Sequence, residues 1–562
     1  MNRSSHAPQP LTPSDGLSAR LKWPGLSGWK LIPFFVATLV MIPLAMVLSS
    51  FFRPGDDVWQ HLVNTLLGRL LMNTFQLSLG VLSGTALIGV SLAWFCATCD
   101  FPFRKFFDRA LMLPMAIPAY VTAFVAIGLL DFSGPVQTLL RRWFGDALRF
   151  PNIRSTGGVI IVMILALYPY VYLLTRNAFL SQGRRAMEAA QSLGLGRWRG
   201  FFRVALPMGR PWIFGGLLLV LMETLADFGT VSIFNYDTFA TAIYKAWFGF
   251  FSLSAASQLA SLLILIVFIL LWMEQKFTDK TRYTQVEKSG ARGDRIVLRP
   301  LTGWLVFAYT STVFLVAFMI PVIQLSVWAL HTFQKDFSTR YFSFLSHSLF
   351  LGGFGALLTI ATALLLAYAL RLHDNPLNRL MARIATLGYA LPGSVLAVGI
   401  FIPLAWLDNK LIALGKTWFD LDPGQIFNGT LVAMFLAYLV RFLAVAYHPV
   451  RSAIKRITPS IDETSRSLRV TGISMLRKVH LPVLRGGLFT AATLVFVDIM
   501  KEMPITLMTR PFGWDTLAIR IYEMTSEGEW ERAALPAMVL VLTGLFPIIL
   551  LTKNAQGFGD GK

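Results

Sequence analysis

Glu188-Ala189-Ala190-Gln191-Ser192-Leu193-Gly194, continuing through Arg197, Arg199 and Arg203 to Val204-Ala205-Leu206-Pro207, is a polar, arginine-rich segment between two long apolar runs. The same register returns as Glu463-Thr464-Ser465-Arg466-Ser467-Leu468-Arg469-Val470-Thr471-Gly472 and runs on to Val479-His480-Leu481-Pro482, again between apolar runs. Glutamate and proline are 19 positions apart in both copies, and the copies are 275 residues apart in a chain of 562. A repeat at half the chain length points to a duplicated unit, with each polar segment holding one place in its half.

What surrounds these segments is apolar. The chain is 55% hydrophobic and 14% charged, with mean hydropathy +0.60, a composition outside the soluble range. A helix needs roughly 20 apolar residues to cross a hydrocarbon core, where no water satisfies free backbone groups. Runs of that length occur at 31–52, 74–98, 110–130, 157–180, 212–234 and 254–273, then at 304–330, 348–370, 384–407, 427–447, 486–508 and 533–551. They predict an all-α integral membrane protein of twelve transmembrane helices, arranged as two parallel homologous six-helix halves because an even number of spans returns the chain to its starting side.

The duplication extends beyond the polar segments. Ile117-Pro118-Ala119-Tyr120-Val121 aligns with Leu391-Pro392-Gly393-Ser394-Val395 at an offset of 274, and Asp237-Thr238-Phe239-Ala240 with Asp515-Thr516-Leu517-Ala518 at 278. The expected organisation is a disordered cytoplasmic tail at 1–30, a first membrane domain at 31–273 with its polar loop at 184–211, and a cytoplasmic linker at 274–300. A second domain follows at 301–552 with its loop at 455–485, then a tail at 553–562.

The formal charge of +20 could suggest nucleic acid, but the basic residues sit in short loops between spans, as positive-inside topology requires. No nucleic-acid partner is expected. Both polar loops are arginine-rich and therefore cytoplasmic, as are both termini. The loop with Arg141, Arg142, Arg149 and Arg154 falls outside and strains the rule. Cys96 and Cys99 form a C-x-x-C without a second pair or a nearby histidine, too few ligands for structural zinc.

No G-x-x-x-x-G-K-[ST], H-E-x-x-H or G-x-S-x-G occurs, so the chain carries no phosphate cradle or hydrolytic centre of its own. The informative groups are ionisable residues inside spans, each costing about 2.5–3.5 kcal/mol on insertion scales. The fifth run holds Glu223 and Asp227; its repeat mate holds Asp498, Lys501 and Glu502, and the tenth run holds Arg441. Four-residue spacing would place Glu223 with Asp227, and Asp498 with Glu502, on one helix face in each half. The two faces could line a central pathway, form buried ion pairs with Lys501 and Arg441, or hold a resting substrate; these readings stay open.

The spacing E-A-A, three residues, G, nine residues, I/V-x-L-P resembles the cytoplasmic EAA loop of bacterial ABC importer permeases, a short helix-turn-helix that docks on the ATPase. Glu188, Ala189, Ala190, Gly194, Val204, Leu206 and Pro207 match in the first copy. The second keeps Glu463, Val479, Leu481 and Pro482, with Arg469 at the glycine position and Gly472 three residues later, which implies a different turn. The resemblance implies two copies of an ABC ATPase subunit and a periplasmic substrate-binding protein as partners. ATP and magnesium would be held by the ATPase, and no cofactor by this chain. Within that family, Lys501-Glu502-Met503-Pro504 through Thr506-Leu507, Arg510-Pro511, Gly513 and Asp515-Thr516-Leu517-Ala518 resembles the signature of fused ferric-iron permeases. Thiamine, phosphonate and polyamine permeases share the architecture and are the alternatives. A gradient-driven secondary transporter is the rival of another class, supported by the basic turn from Asp100 to Arg109.

Overall fold

The computed structural model describes residues 27–145, 151–180, 192, 195–278, 295–420 and 424–557. Eleven helices among them are long and apolar enough to cross a membrane, and a shorter apolar helix lies at Ala534–Ile549. Each expected run overlaps one of these helices, the one at 533–551 falling on the shorter helix, but the runs at 212–234 and 486–508 continue past helices that end at Ala226 and Lys501.

In chain order the principal helices are α1 (Ile32–Ser50), α2 (Leu67–Thr98), α3 (Ala119–Leu130), α4 (Thr156–Ala178), α5 (Leu206–Ala226), α6 (Gly229–Ile233), α7 (Phe239–Tyr244) and α8 (Leu253–Thr278). The second half contributes α9 (Pro300–Phe314), α10 (Ile320–Asp336), α11 (Thr339–Leu372), α12 (Gly393–Phe419), α13 (Leu431–Ile454), α14 (Pro459–Ser467), α15 (Leu481–Lys501), α16 (Pro504–Thr509), α17 (Leu517–Ser526) and α18 (Ala534–Gly557). The repeat is visible in their boundaries. α5 and α15 begin and end 275 residues apart, each entered through a π-turn, Phe201–Ala205 and Leu476–His480, at the same offset. α3 and α12 both start directly after a proline, Pro118 or Pro392, preceded by a short 3-10 turn. Proline suits a helix start, where the missing N–H costs nothing.

Each half builds a three-helix centre, α2, α4 and α5 in the first and α11, α13 and α15 in the second. Glycines make the first one tight: a Cβ at Gly80 would fall 2.6 Å from Ile160 Cδ1 and one at Gly89 2.8 Å from Val171 Cβ. Close backbone approach of this kind is what joins helices in lipid. The outer helices are exchanged. One core combines the middle helices of the first half with residues of α9, α10 and α18, including Phe314, Trp328 and Leu540. The other combines α11, α12, α13 and α15 with Val36, Val40 and Leu44 of α1 and Leu259 and Leu263 of α8. The first and last helices of each half therefore pack on the other half, and neither half buries its apolar surface alone.

Side chains such as Phe75, Leu79 and Leu87 on α2 remain exposed on the outer surface, facing the place of lipid. The linker is more than a tether: Ile296–Val297 pairs in parallel with Cys99–Asp100 at the end of α2, while residues 279–294 lie outside the described residues. Cys96 and Cys99 are buried.

Candidate functional site

A cavity of about 180 Å³ lies on the seam between the halves, and all six ionisable span residues line it: Glu223, Asp227, Arg441, Asp498, Lys501 and Glu502. The geometry differs in one respect from four-residue spacing on a continuous helix. α5 stops at Ala226 and Asp227 is extended (φ −66, ψ 124); α15 stops at Lys501 and Glu502 is extended in the same way (φ −71, ψ 120). Asp227 and Glu502 therefore do not sit one turn beyond Glu223 and Asp498 on a helix face.

Both turn to the backbone that follows. Asp227 accepts from the Val231 amide (3.2 Å) and the Thr230 hydroxyl (2.9 Å). Glu502 accepts from the Ile505 amide at 3.0 Å and faces the Arg441 guanidinium at 3.4 Å. A carboxylate that receives the first amides of a short helix satisfies donors that have no intrahelical partner, which is how the chain breaks twice at membrane depth at corresponding places. Such breaks are tolerated only where they are covered by protein or line a cavity.

Two hydrogen bonds cross the seam at the cavity. The Tyr389 hydroxyl donates to Glu223 at 3.3 Å, and Lys501 Nζ donates to the Met115 carbonyl at 3.0 Å. Lys501 thus lies beside Asp498 in the cavity wall while its hydrogen bond goes to the opposite half. Tyr120 Oη and Arg441 Nε are buried without a hydrogen-bond partner. Tyr120, Tyr389 and Met115 were not singled out by the sequence; only the position of Tyr120 beside the repeated Pro118 could have suggested it. Among the described residues no group of three or more His, Cys, Asp or Glu is arranged to hold a metal ion.

From this wall the chain runs outward through a segment whose polar residues are each engaged. Thr506 contacts Tyr438 Oη at 2.5 Å. Arg510 pairs with Asp515 and, at 3.1 Å, with Glu523. Gly513 takes φ +80, and Thr516 caps α17.

At the polar loops, Glu188, Ala189, Ala190 and Gly194 lie outside the described residues, whereas Leu206 and Pro207 form the first turn of α5. In the second loop Glu463 is exposed on α14. Leu481 and Pro482 open α15. Arg469, at the glycine position, adopts φ 58, and Gly472 adopts φ 60. Left-handed backbone thus occurs both at Arg469, the glycine position of the motif, and at Gly472.

A family model for the binding-protein-dependent transport system inner membrane component matches the chain twice, over residues 86–282 and 359–558. The chain belongs to this family. It is a multi-pass membrane permease of the ABC-importer type, with the permease domain present twice. It is 28% identical over 495 residues to the Fe(3+)-transport system permease protein FbpB 2 of Haemophilus influenzae, covering 87% of this chain and 90% of that one. Similarity to the ferric transport system permease protein FbpB of Actinobacillus pleuropneumoniae is 23% over 549 residues, covering 92% and 76%. A half-length relative, the molybdenum transport system permease protein ModB of Escherichia coli, is 28% identical over 179 residues, 32% of this chain and 72% of its own. An ABC permease implies an ATPase and a substrate-binding protein as partners.

Proposed function

We propose that this permease carries ferric iron, delivered by a periplasmic binding protein, across the inner membrane, and that one ATPase subunit docks on each polar loop. The segment from Lys501 to Ala518 carries this reading: it joins the cavity wall to the outer loop, and its residues follow the ferric-permease signature. The FbpB relatives, similar over most of the chain, support the same cargo. Four carboxyl side chains line the cavity beside two basic ones, Arg441 and Lys501, an excess of oxygen groups suited to a hard cation that prefers oxygen ligands.

In this reading the membrane domain has twelve helices in two parallel halves, with both termini and both loops cytoplasmic. The basic outer loop is compatible with that orientation because two of its arginines are engaged locally. Arg141 lies 4.2 Å over the Phe132 ring, and Arg154 pairs with Asp131 at 3.3 Å. ATP and magnesium, held by the ATPases, close the two subunits and move the loops. The halves then rock, the Tyr389–Glu223 and Lys501–Met115 ties open, and the cavity gains access to one side at a time. Glu188, Ala189, Ala190, Gly194, Leu206 and Pro207 form the first docking element, and Glu463, Gly472, Leu481 and Pro482 the second.

The test is uptake in liposomes containing the permease and its ATPase, with binding protein loaded with ferric iron or with thiamine outside. ATP-dependent accumulation of iron alone is expected. Uptake that ignores ATP and collapses with an uncoupler would replace this reading with the secondary transporter, and thiamine accumulation would change the cargo.

A further inference from the structure

The root of the second polar loop contains a buried polar relay that none of the pathway or docking residues explains. Tyr368 Oη donates to His480 Nδ1 at 3.1 Å, His480 Nε2 donates to Asp462 Oδ1 at 2.9 Å, and Arg371 Nη2 donates to Asp462 Oδ2 at 2.6 Å. Arg371 Nη1 closes the set on the carbonyls of Ile454 (3.2 Å) and Ile457 (2.9 Å). A neutral imidazole with its proton on Nε2 satisfies every one of these bonds, since it accepts at one nitrogen and donates at the other. His480 is 1% exposed and Asp462 6%.

Four elements meet here: the end of α11, the end of α13, the helix α14 that carries Glu463, and the π-turn that leads into α15. Asp462 and Glu463 are neighbours facing opposite ways, one into the relay and the other to the surface. A movement of α14 must therefore pull on Asp462, and through His480 on the start of α15, whose far end carries Asp498 and Lys501 in the cavity wall.

The first half has no such relay in its sequence. At the repeat offsets of 274 and 275, Tyr368, Arg371, Asp462 and His480 correspond to Trp94, Ala97, Met187 and Ala205. Trp94 instead packs against Phe201 (ring centroids 4.6 Å) and Phe179 (5.4 Å), and Met187 lies outside the described residues. The first root is tied by Arg176 near the end of α4, which donates to both Asp108 oxygens at 2.6 and 2.5 Å, so each root has a charge-assisted pair, and among the described residues the second runs it through a histidine into the helix that follows.

We propose that Asp462 and His480 are positioning residues that transmit movement of the second docking helix to α15. This rests on the importer reading above. Neither residue lines the cavity between the halves.

The test compares His480→Ala, His480→Gln and Asp462→Asn in the full chain with its ATPase, in the same liposomes with iron-loaded binding protein. Uptake, ATP hydrolysed per iron carried, and amide exchange over 459–480 are read together. Glutamine can replace the neutral imidazole, with its amide donating to Asp462 and its oxygen accepting from Tyr368. The alanine and asparagine variants should co-purify with normal amounts of ATPase, exchange faster over 459–480, and hydrolyse at least about tenfold more ATP per iron, because His480→Ala cuts the link from Asp462 to the start of α15 and Asp462→Asn leaves the Arg371 guanidinium without its carboxylate. His480→Gln should stay within about twofold of the parent, as its bonds are retained. Uptake and coupling like the parent's in His480→Ala, despite faster exchange, would overturn the positioning role. An equal loss in His480→Gln would overturn it as well. A parent chain without ATP-driven uptake would instead overturn the importer reading, which is seen before any variant is compared.

Discussion

Arg441 Nη1 stands 3.4 Å from the Glu502 carboxylate, and the pair is set against the first turn of α12 at Gly393. Glu502 also receives the Ile505 amide, so one carboxylate neutralises a buried guanidinium and holds the break between α15 and α16. Removing one member of a buried pair costs about 3–5 kcal/mol, far more than removing both. Glu502→Gln should therefore lower the thermal midpoint in detergent and depress iron uptake strongly. The double variant Glu502→Gln/Arg441→Met should recover the midpoint while uptake stays low. A double variant with full uptake would show that the pair only supports the fold.

Gly393 tests the same pair without touching a charge. A Cβ there would fall on Arg441 Nη1 and 2.8 Å from Glu502 Oε1. Gly393→Ala should displace the guanidinium and reduce uptake severalfold, since overpacking a filled site costs about 1–3 kcal/mol. Gly353→Ala is the control, because a Cβ at Gly353 meets nothing within 4 Å. Equal uptake in the two variants would mean that the pair can shift freely.

Asp227 separates capping from charge. Its carboxylate takes the Val231 amide on Oδ1 and the Thr230 hydroxyl on Oδ2; an asparagine oxygen can keep the Val231 bond while its NH2 donates to the Thr230 hydroxyl oxygen. Asp227→Asn should keep the fold stable yet reduce uptake if the negative charge serves the cargo. Asp227→Ala should lose both, with a stability cost of about 1 kcal/mol for the missing cap. Normal uptake in Asp227→Asn would reduce this residue to a structural cap.

The membrane class, the apolar runs and the duplication were legible because apolar length and repeat offset are written directly into the residue order. The breaks at Asp227 and Glu502 were not. Apolar residues continue through both places, and the helix ends only because a carboxylate turns to the amides ahead; Pro504 was the one visible hint. The exchange of α1 and α8 with α9, α10 and α18 left no trace either, since an apolar helix face fits any apolar partner. Of the candidate site, the six ionisable residues share one cavity as a group, but their pairing depended on distances across the seam. His480 stood in plain view before Leu481-Pro482, and its value emerged only when Tyr368 and Asp462 were found on either side of it.

Arg469 lies in the turn of the second polar loop. Arg469 is held at φ 58, a region that disfavours side chains with a Cβ by roughly 1–2 kcal/mol. Gly194 occupies the equivalent position in the first copy of the motif, so glycine is compatible with this register. Arg469→Gly should raise the thermal midpoint slightly or leave it unchanged, because relief of the left-handed strain opposes the greater entropy glycine brings to the unfolded chain. Arg469→Ala removes the charge but keeps the Cβ, so its midpoint should fall below that of the glycine variant. If docking needs only the turn, ATPase co-purification and uptake should survive Arg469→Gly; if the guanidinium itself meets the ATPase, both variants should lose the partner equally. Measuring bound ATPase beside the midpoint for the two variants therefore distinguishes a strained turn kept for its shape from an arginine kept for its charge.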